Sequence, residues 1–326
     1  MVSEPFGLAG LGLLLLAIAL DLMIGDPRWL PHPVVLIGRV IARLDHAWNH
    51  GTARARRLRG YLLTAVIVLG TYALAWLVLA MLAWWHPWLA VIGEVALLAT
   101  SLAIRGLRDA ALDVARPLAS GDLATARARL AMIVGRDTQT LDEGEMTRAT
   151  VETVAENTVD GITAPLFWAF IGGAPLALAY KAVNTLDSMV GYLSPRHADF
   201  GYASAKLDDL VNWIPARLTA FCLWLAAWAV PGARMRGALA ATWREAPRHP
   251  SPNAGWPEAM MARLLGVQLG GTNYYQGRAS QRATLGDPLE ALTVAHVCRA
   301  IRHMHAGWLA FVMLLALAAL LGEALP

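Results

Sequence analysis

The chain has 326 residues, of which 57% are hydrophobic and 16% charged, and its formal net charge is +3. An average soluble domain is about 45–50% apolar and roughly 25% charged. The composition, with a mean hydropathy of +0.46, therefore excludes an ordinary soluble domain and intrinsic disorder. Two cysteines exclude a disulfide scaffold or a four-cysteine metal site, and the small net charge gives no reason to expect nucleic acid as a partner.

Six apolar stretches organise the chain. Five satisfy the requirement of about 20 apolar residues for a spanning helix, namely 6–24, 60–84, 88–104, 212–230 and 306–321. The sixth, 161–183, contains two prolines and a Gly-Gly pair, so it predicts a kinked span, a re-entrant pair or a buried helix. We expect an all-α polytopic membrane bundle with five or six transmembrane helices. The first stretch is interpreted as a retained helix rather than a signal peptide.

Arginine-rich segments predict the orientation. Residues 25–59, 105–160 and 231–305 hold seven, seven and nine basic residues. Because basic loops stay on the cytoplasmic side, we expect a cytoplasmic helical segment at about 105–160 and a cytoplasmic loop at about 231–305. Both termini would then lie outside, and the whole chain, 1–326, would form one integral membrane domain.

The first loop contains a constrained histidine. His32 lies between Pro31 and Pro33, and the prolines force an extended backbone that fixes the direction of the imidazole. A structural role is the alternative for this residue. Asp21, in the last turn of the preceding apolar helix, requires a partner.

An acidic stripe follows the second arginine-rich segment. Asp142 and Glu145 have the spacing of a capping box that opens a helix. Glu145 then recurs with Glu152, Glu156 and Asp160 on one helix face, with Asn157 beside them. Like charges four residues apart destabilise a helix by roughly 0.2–0.5 kcal/mol per pair, so a divalent cation or a bound basic group should compensate unless the face is simply solvated. Carboxylate and amide oxygens favour Mg²⁺.

The two lysines of the chain stand in polar clusters. Lys181 and Asn184 share a helix face with Asp187 at its edge. A lysine offers phosphate a compact charge, although a lysine at a helix end also snorkels. Lys206 offers the same charge or pairs locally with Asp209, and Asp209, which enters the fifth span, is a functional candidate for that reason.

Two turn-rich motifs in the last loop, 251–258 and 270–275, are each predicted to open an apolar helical stretch. Their amides and glycines suit an anion or a ligand rimmed by carboxamides.

Taken together and in order, these segments resemble the adenosylcobinamide-phosphate synthase family of cobalamin biosynthesis. The resemblance covers about residues 12–285. It rests on Gly25-Asp26-Pro27 with His32-Pro33-Val34, on 135–138, on 152–157 with Asp160-Gly161, and on 180–188, 201–209 and 251–258.

The resemblance implies a reaction at the bacterial inner membrane, with the active site on the cytoplasmic side. The family joins the propionate carboxylate of adenosylcobyric acid to (R)-1-amino-2-propanol phosphate, or to free aminopropanol. ATP is consumed, Mg²⁺ is required, and the natural intermediate is an acyl phosphate. Membrane lipid surrounds the protein, and a homo-oligomer or a complex with other cobalamin-assembly enzymes stays open.

The resemblance also implies roles for fifteen residues. Mg²⁺ on the ATP phosphates would be held by Glu152, Glu156 and Asp160. The proton of the amine would be taken by Asp187, Asp209 or His32, with Lys181 balancing phosphate charge. The remaining ligand-binding candidates are Arg136, Asp137, Asn157, Asn184, Lys206, Asn253, Trp256 and Asn273.

Two other classes compete with an enzyme. A transporter of a corrinoid or another small molecule buries ionisable residues near the bilayer midplane and often contains inverted repeats. Here the polar clusters lie mostly at helix ends and in loops, and the halves lack obvious symmetry. A scaffold subunit would leave the acidic stripe and the isolated lysines unexplained.

Overall fold

The computed structural model describes residues 7–25 and 32–324, and it confirms an all-α membrane fold. Within these residues the α-helices are α1 Leu8–Ile24, α2 Pro33–Trp48, α3 Ala53–Trp85, α4 Pro87–Ala99, α5 Ile104–Ala119, α6 Leu123–Leu130, α7 Glu143–Thr158, α8 Ala164–Val190, α9 Tyr202–Val211, α10 Trp213–Ala226, α11 Ala238–Glu245, α12 Gly255–Leu265 and α13 Val294–Ala324. A π-helix, Val159–Thr163, joins α7 to α8, and short 3₁₀ helices follow α10 and α11 at Ala227–Ala229 and Ala246–Arg248. Two strands, β1 Leu269–Tyr275 and β2 Arg278–Leu285, form an antiparallel hairpin.

The apolar helices make this a multi-pass membrane protein. Four helical stretches of the described residues are long and apolar enough to cross a bilayer, namely Ala53–Trp85, Pro87–Ala119, Glu143–Val190 and Val294–Ala324. A fifth is present if α9 and Trp213–Ala229, bent by 43°, count as one span. The predicted span at 6–24 corresponds to α1, which is apolar but has only 17 residues.

The chain divides into two compact units. The first contains the residues up to Ile104, 164–212 and those from Leu314 onward, and the second contains 105–163 and 213–313. The predicted segment at 105–160 and loop at 231–305 both belong to the second unit, and their cytoplasmic location stays a prediction. Asp26 and Pro27 of the first motif lie outside the described residues.

The first unit is built on close packing of α3 against α8 and α9. Its core includes Leu63, Leu186 and Phe200, all fully buried. A Cβ on residue 60 would lie 2.0 Å from the Phe200 carbonyl oxygen, so Gly60 is required for the two chain segments to approach each other.

Two buried carboxylates of the first unit hold backbone groups. Asp21 Oδ2 accepts a hydrogen bond from the Ile104 amide at 3.0 Å, which supplies the partner expected for this residue. Glu94 Oε1 accepts from the Ala174 amide at 2.7 Å. That amide follows the non-helical Gly172 and Gly173, which break α8. The break agrees with the kinked alternative for 161–183, and the glutamate satisfies an amide at the break.

The second unit begins its central helix with the predicted cap. Asp142 accepts from the Glu145 amide and Glu145 accepts from the Asp142 amide, which completes the capping box. Glu145 is thus used at the helix end rather than in a ligand set. The apolar face of α7 packs on α5 and α6 through a core that includes Met146, Val114 and Leu130.

The hairpin corrects the prediction for 270–275, which was wrong. These residues lie in β1 rather than opening a helical stretch. Thr272 and the two tyrosines that end β1 favour extended backbone. Gln276 and Gly277 have φ angles of 52° and 75°, and two positive φ values are what a two-residue hairpin turn requires.

Candidate active site

The fifteen predicted site residues fall into the two units. The first unit holds His32, Lys181, Asn184, Asp187, Lys206 and Asp209. The second unit holds Arg136, Asp137, Glu152, Glu156, Asn157, Asp160, Asn253, Trp256 and Asn273.

Three candidates of the first unit, Lys206, Asp209 and His32, make local contacts. Lys206 Nζ donates to Asp209 Oδ2 at 2.8 Å on an exposed surface, which is the local pair considered as the alternative. The Nδ1 atom of His32 accepts from the Val34 amide at 3.3 Å and caps α2. These contacts are structural, and the roles proposed for the three side chains stay predictions.

The other three candidates of this unit, Lys181, Asn184 and Asp187, are carried by α8. Asp187 lies within electrostatic reach of Asp208 on α9. Asp208 Oδ2 accepts from the side-chain amide of Asn212 at 3.1 Å, and Asn212 Oδ1 accepts from the Tyr180 hydroxyl at 2.9 Å. A polar network therefore joins α8 to α9 inside the first unit.

The second unit buries a charge cluster around Glu152, which is 3% exposed. Its Oε2 accepts from Arg136 Nη2 at 2.5 Å, and its Oε1 accepts from the Gly270 amide at 2.8 Å. Gly270 has φ +81°, and a Cβ there would lie 2.2 Å from the Ala283 carbonyl oxygen. Glycine is therefore required where this amide reaches the carboxylate. At Glu152, the basic group that compensates the acidic stripe is therefore the Arg136 guanidinium.

Asn273 of β1 extends the cluster. Its Oδ1 accepts from Arg136 Nη1 at 2.8 Å and from Arg148 Nη2 at 3.2 Å. Arg148 also donates to the Thr272 carbonyl at 3.1 Å, which ties the strand to α7. The Nδ2 atom of Asn273 is buried and has no hydrogen-bond partner within the described residues. A buried donor without a partner calls for an explanation such as a bound group.

Glu258 and His249 belong to this cluster, and sequence reasoning missed both as site residues. Glu258 Oε1 and His249 Nε2 lie 3.8 Å apart. Both atoms are buried without a hydrogen-bond partner in the part of the chain that the structure describes. Burial raises the pKa of Glu258 well above 4.5, and repulsion from Glu152 and Glu156 raises it further. Burial also lowers the pKa of His249, as does the nearby Arg282 guanidinium.

A signal for Glu258 was present in the sequence. It stands among Trp256, Pro257, Ala259 and Met260, and an isolated charge in an apolar run is costly to bury unless it is paired or neutralised.

Arg282 and Glu156 complete the cluster. Arg282 of β2 donates to the Tyr275 hydroxyl at 3.0 Å and lies within electrostatic reach of Glu152, Glu156 and Glu258. Glu156 of α7 is an exposed residue of the second unit. The cluster thus combines an exposed glutamate, a guanidinium suited to an anion and a buried carboxyl whose raised pKa suits proton transfer.

Three predicted ligand residues have other contacts. The Asp137 carboxylate accepts from the amides of Gln276 and Gly277 at 3.0 and 2.7 Å, so it anchors the turn of the hairpin. Asn157 donates to the Thr153 carbonyl of its own helix at 3.0 Å. Asp160 lies in the π-helix that follows α7.

Trp256 and Asn253 meet at Arg217 of α10. The Arg217 guanidinium lies 4.7 Å from the centre of the Trp256 ring and 4.2 Å from that of Trp213. It also donates to Asn253 Oδ1 at 3.3 Å. Arg217, which the sequence places inside an apolar run, is accommodated here by two aromatic faces.

The residues do not fit a metal ion held by protein alone. Both oxygens of Glu152 already accept hydrogen bonds. Across residues 7–25 and 32–324, no group of three or more histidine, cysteine or acidic side chains is arranged to hold a metal ion. Mg²⁺ is usually bound by one or two carboxylates together with substrate phosphates and water, so its involvement stays a prediction of the resemblance.

The chain is similar to known proteins over most of its length. A family model described as CobD/Cbib protein matches residues 14–304. The cobalamin biosynthesis protein CobD of Halalkalibacterium halodurans is 50% identical over 92% of this chain and 94% of the relative. That of Klebsiella pneumoniae is 48% identical over 91% and 93%, and the cobalamin biosynthesis protein CbiB of Salmonella typhimurium is 47% identical over 93% and 94%.

No solved structure matches the chain. The family model covers the whole of the charge cluster of the second unit as well as α8 and α9 of the first. With the match of the model and the identity to these relatives, the chain belongs to the CobD/CbiB family.

Proposed function

We propose that this protein, which has a role in cobalamin biosynthesis, is the ATP- and Mg²⁺-dependent ligase that makes adenosylcobinamide phosphate. It would join the propionate carboxylate of adenosylcobyric acid to (R)-1-amino-2-propanol phosphate or to free aminopropanol. The carboxylate would attack the γ-phosphorus of ATP and release ADP. The amine would then displace phosphate from the acyl phosphate and form the amide.

The observation that carries this proposal is the cluster of the buried Glu152, Glu258 and Arg136 side chains with the half-buried Arg282, within the region that the family model matches. Transfer of a phosphoryl group depends on positive charge placed where negative charge develops. Arg282 is the cation of the cluster that we assign to this task, because Arg136 is already committed to Glu152 and Asn273.

The second half of the reaction requires a proton acceptor. An alkylammonium must lose its proton before nitrogen can attack an acyl group, and a positioned base contributes about 10²–10⁴-fold to the rate. We assign this task to Glu258, with His249 beside it. Because burial raises the pKa of Glu258, its ionised carboxylate is a stronger proton acceptor than an ordinary carboxylate.

The sequence-based candidates for the acceptor, Asp187, Asp209 and His32, lie in the first unit and stay predictions. Variants of these residues are compared with Glu258→Gln in the activity assay. Loss of activity in Asp187→Asn with Glu258→Gln unaffected would transfer the role back to the first unit.

The test is an assay of the detergent-purified protein with adenosylcobyric acid, aminopropanol phosphate, ATP and Mg²⁺, followed by mass spectrometry of the corrinoid. We expect a new amide whose formation requires the nucleotide and the metal ion. Verified substrates that yield no amide with folded protein would overturn the proposal.

Glu258→Gln tests the assignment within that assay. We expect the rate to fall by about 10²–10⁴-fold and the pH dependence of the rate to change. Glu143→Gln, a change of the same type at an exposed position at the start of α7, is the matched control and should retain full activity. Full activity and an unchanged pH profile in Glu258→Gln would remove Glu258 from the mechanism.

A further inference from the structure

A second site in the second unit is a cavity lined by four arginines. Its volume is about 240 Å³, and Arg234, Arg236, Arg244 and Arg263 line it with one carboxylate, Asp287. It contains none of the residues of the charge cluster. Four guanidinium groups and one carboxylate make the lining of this small cavity strongly basic.

The four arginines are of two kinds. Arg263 pairs with Glu245 and Asp287, and Arg234 pairs with Glu290 at 2.8 Å. These pairs fix two guanidinium groups and neutralise their charge. Arg236 and Arg244 are exposed, and within the described residues no ion pair neutralises either of them. The cavity therefore keeps about two uncompensated positive charges.

The start of α11 borders the same cavity. Gly237, the N-cap of this helix, and Ala238 line it. The Ala238 amide already donates to the Met235 carbonyl at 3.1 Å, so the positive charge available to a ligand comes from the arginines.

Charge and size together select the ligand. A phosphomonoester carries about −1.5 to −2 charges at pH 7, which matches the two uncompensated arginines. A phosphodiester carries only one negative charge. The cavity is smaller than the roughly 300–1,000 Å³ of pockets that enclose drug-sized ligands, so its volume suits a phosphate group with a short carbon chain better than a corrinoid.

We propose that this cavity is the binding site for a small phosphomonoester, with Arg236 and Arg244 as the groups that hold its phosphate. Given the proposed function, on which this step rests, the ligand is the phosphorylated amine rather than free aminopropanol. A phosphomonoester lipid offers the same headgroup, and the experiment separates the two sources.

The experiment is a calorimetric titration of the detergent-purified full chain with (R)-1-amino-2-propanol phosphate, without ATP or corrinoid. We expect binding by the wild type and a fall in affinity of roughly ten- to a hundredfold for each of Arg236→Gln and Arg244→Gln, because each removes hydrogen bonds to a charged group. Arg248→Gln, also exposed but outside the cavity, should bind like the wild type. Free aminopropanol should not bind measurably.

Equal affinity in the Arg236→Gln, Arg244→Gln double variant would overturn the proposal, as would equal binding of the unphosphorylated amine. A lipid arm repeats the titration with the protein in vesicles that contain phosphatidic acid. If the two variants weaken attachment of that lipid but not of the soluble amine, the site belongs to the lipid and the assignment to the amine is wrong. Because no turnover is required, a failed ligase assay leaves this result interpretable.

Discussion

Both units bury carboxylates, but they satisfy them differently. In the first unit, Asp21 and Glu94 each accept a hydrogen bond from a backbone amide. In the second unit, Glu152 faces a guanidinium and Glu258 faces other carboxylates and a histidine, with an oxygen left unpartnered within the described residues. Burial of a carboxylate is therefore not in itself a mark of function. The partner decides whether the group supports a backbone or supplies reactive charge.

The largest effect on stability is expected when the buried Glu152–Arg136 ion pair is disrupted. Glu152→Ala leaves the Arg136 guanidinium buried without its ion-pair partner, which costs about 3–5 kcal/mol of unfolding free energy. Denaturant unfolding in detergent measures the loss. The double variant Arg136→Met, Glu152→Leu should recover part of it, because it leaves neither member of the ion pair unpaired, while the Gly270 amide still lacks its acceptor. A loss below 1 kcal/mol in Glu152→Ala would show that the pair is not buried as described.

Glu258 gives the next effect, and it depends on pH. Its pKa is raised in the folded protein above 4.5, the value for an unperturbed carboxyl. The folded state then binds this proton more tightly than the unfolded state. The contribution of Glu258 to the unfolding free energy is therefore complete below pH 4.5 and is lost as the pH rises through the pKa of the folded state. Between those values the unfolding free energy should fall by about 1.4 kcal/mol per pH unit relative to Glu258→Gln. Unfolding of both proteins across this range measures the difference, and parallel curves would contradict it.

Glu94 of the first unit is the contrasting case, because its buried carboxylate holds a backbone amide. Glu94→Gln keeps an oxygen for the Ala174 amide, so we expect a loss of no more than about 1 kcal/mol and unchanged ligase activity. Glu94→Ala leaves that amide unsatisfied and should cost about 1–3 kcal/mol. Thermal unfolding and the ligase assay measure both. Loss of activity without loss of stability would place Glu94 among the functional carboxylates.

The smallest effect is expected at Lys206. Its pair with Asp209 is exposed, and exposed pairs contribute about 0–1 kcal/mol. Lys206→Gln should therefore unfold almost like the wild type. The same variant tests the phosphate role predicted from the sequence: a tenfold rise in KM for ATP would support that role, whereas unchanged kinetics would restrict Lys206 to the local pair.

Features set by neighbouring residues were predictable from the sequence. The capping box of Asp142 and Glu145, the apolar helices and the break at Gly172-Gly173 all depend on short spacings, and the structure contains each of them. The need of Asp21 for a partner was also predictable, but the identity of that partner, 83 residues away, was not.

Features that join distant segments were not predictable. The acidic stripe indicated that its carboxylates need compensating groups. The groups that bind Glu152, the Arg136 guanidinium and the Gly270 amide, lie 16 and 118 residues away in the sequence and could not be identified from it. The hairpin was missed because a Gln-Gly turn is a weaker signal than Asn-Gly. Glu258 and His249 were missed because their proximity exists only in the folded chain.

The β1–β2 hairpin depends for its stability on contacts with charged side chains of the second unit. A lone two-stranded hairpin is marginally stable in water, and this one is tied down by Asp137 at its turn, Glu152 at its first strand and Arg148 at its middle. The loop between Tyr275 and Arg278 is therefore a natural reporter of the buried charges. The Arg278 side chain is already exposed and that of Arg282 is half-buried, but the backbone of both is held in β2. Any ligand or variant that loosens the strand should make these two positions more susceptible to trypsin, so limited digestion measures the state of the cluster without a substrate.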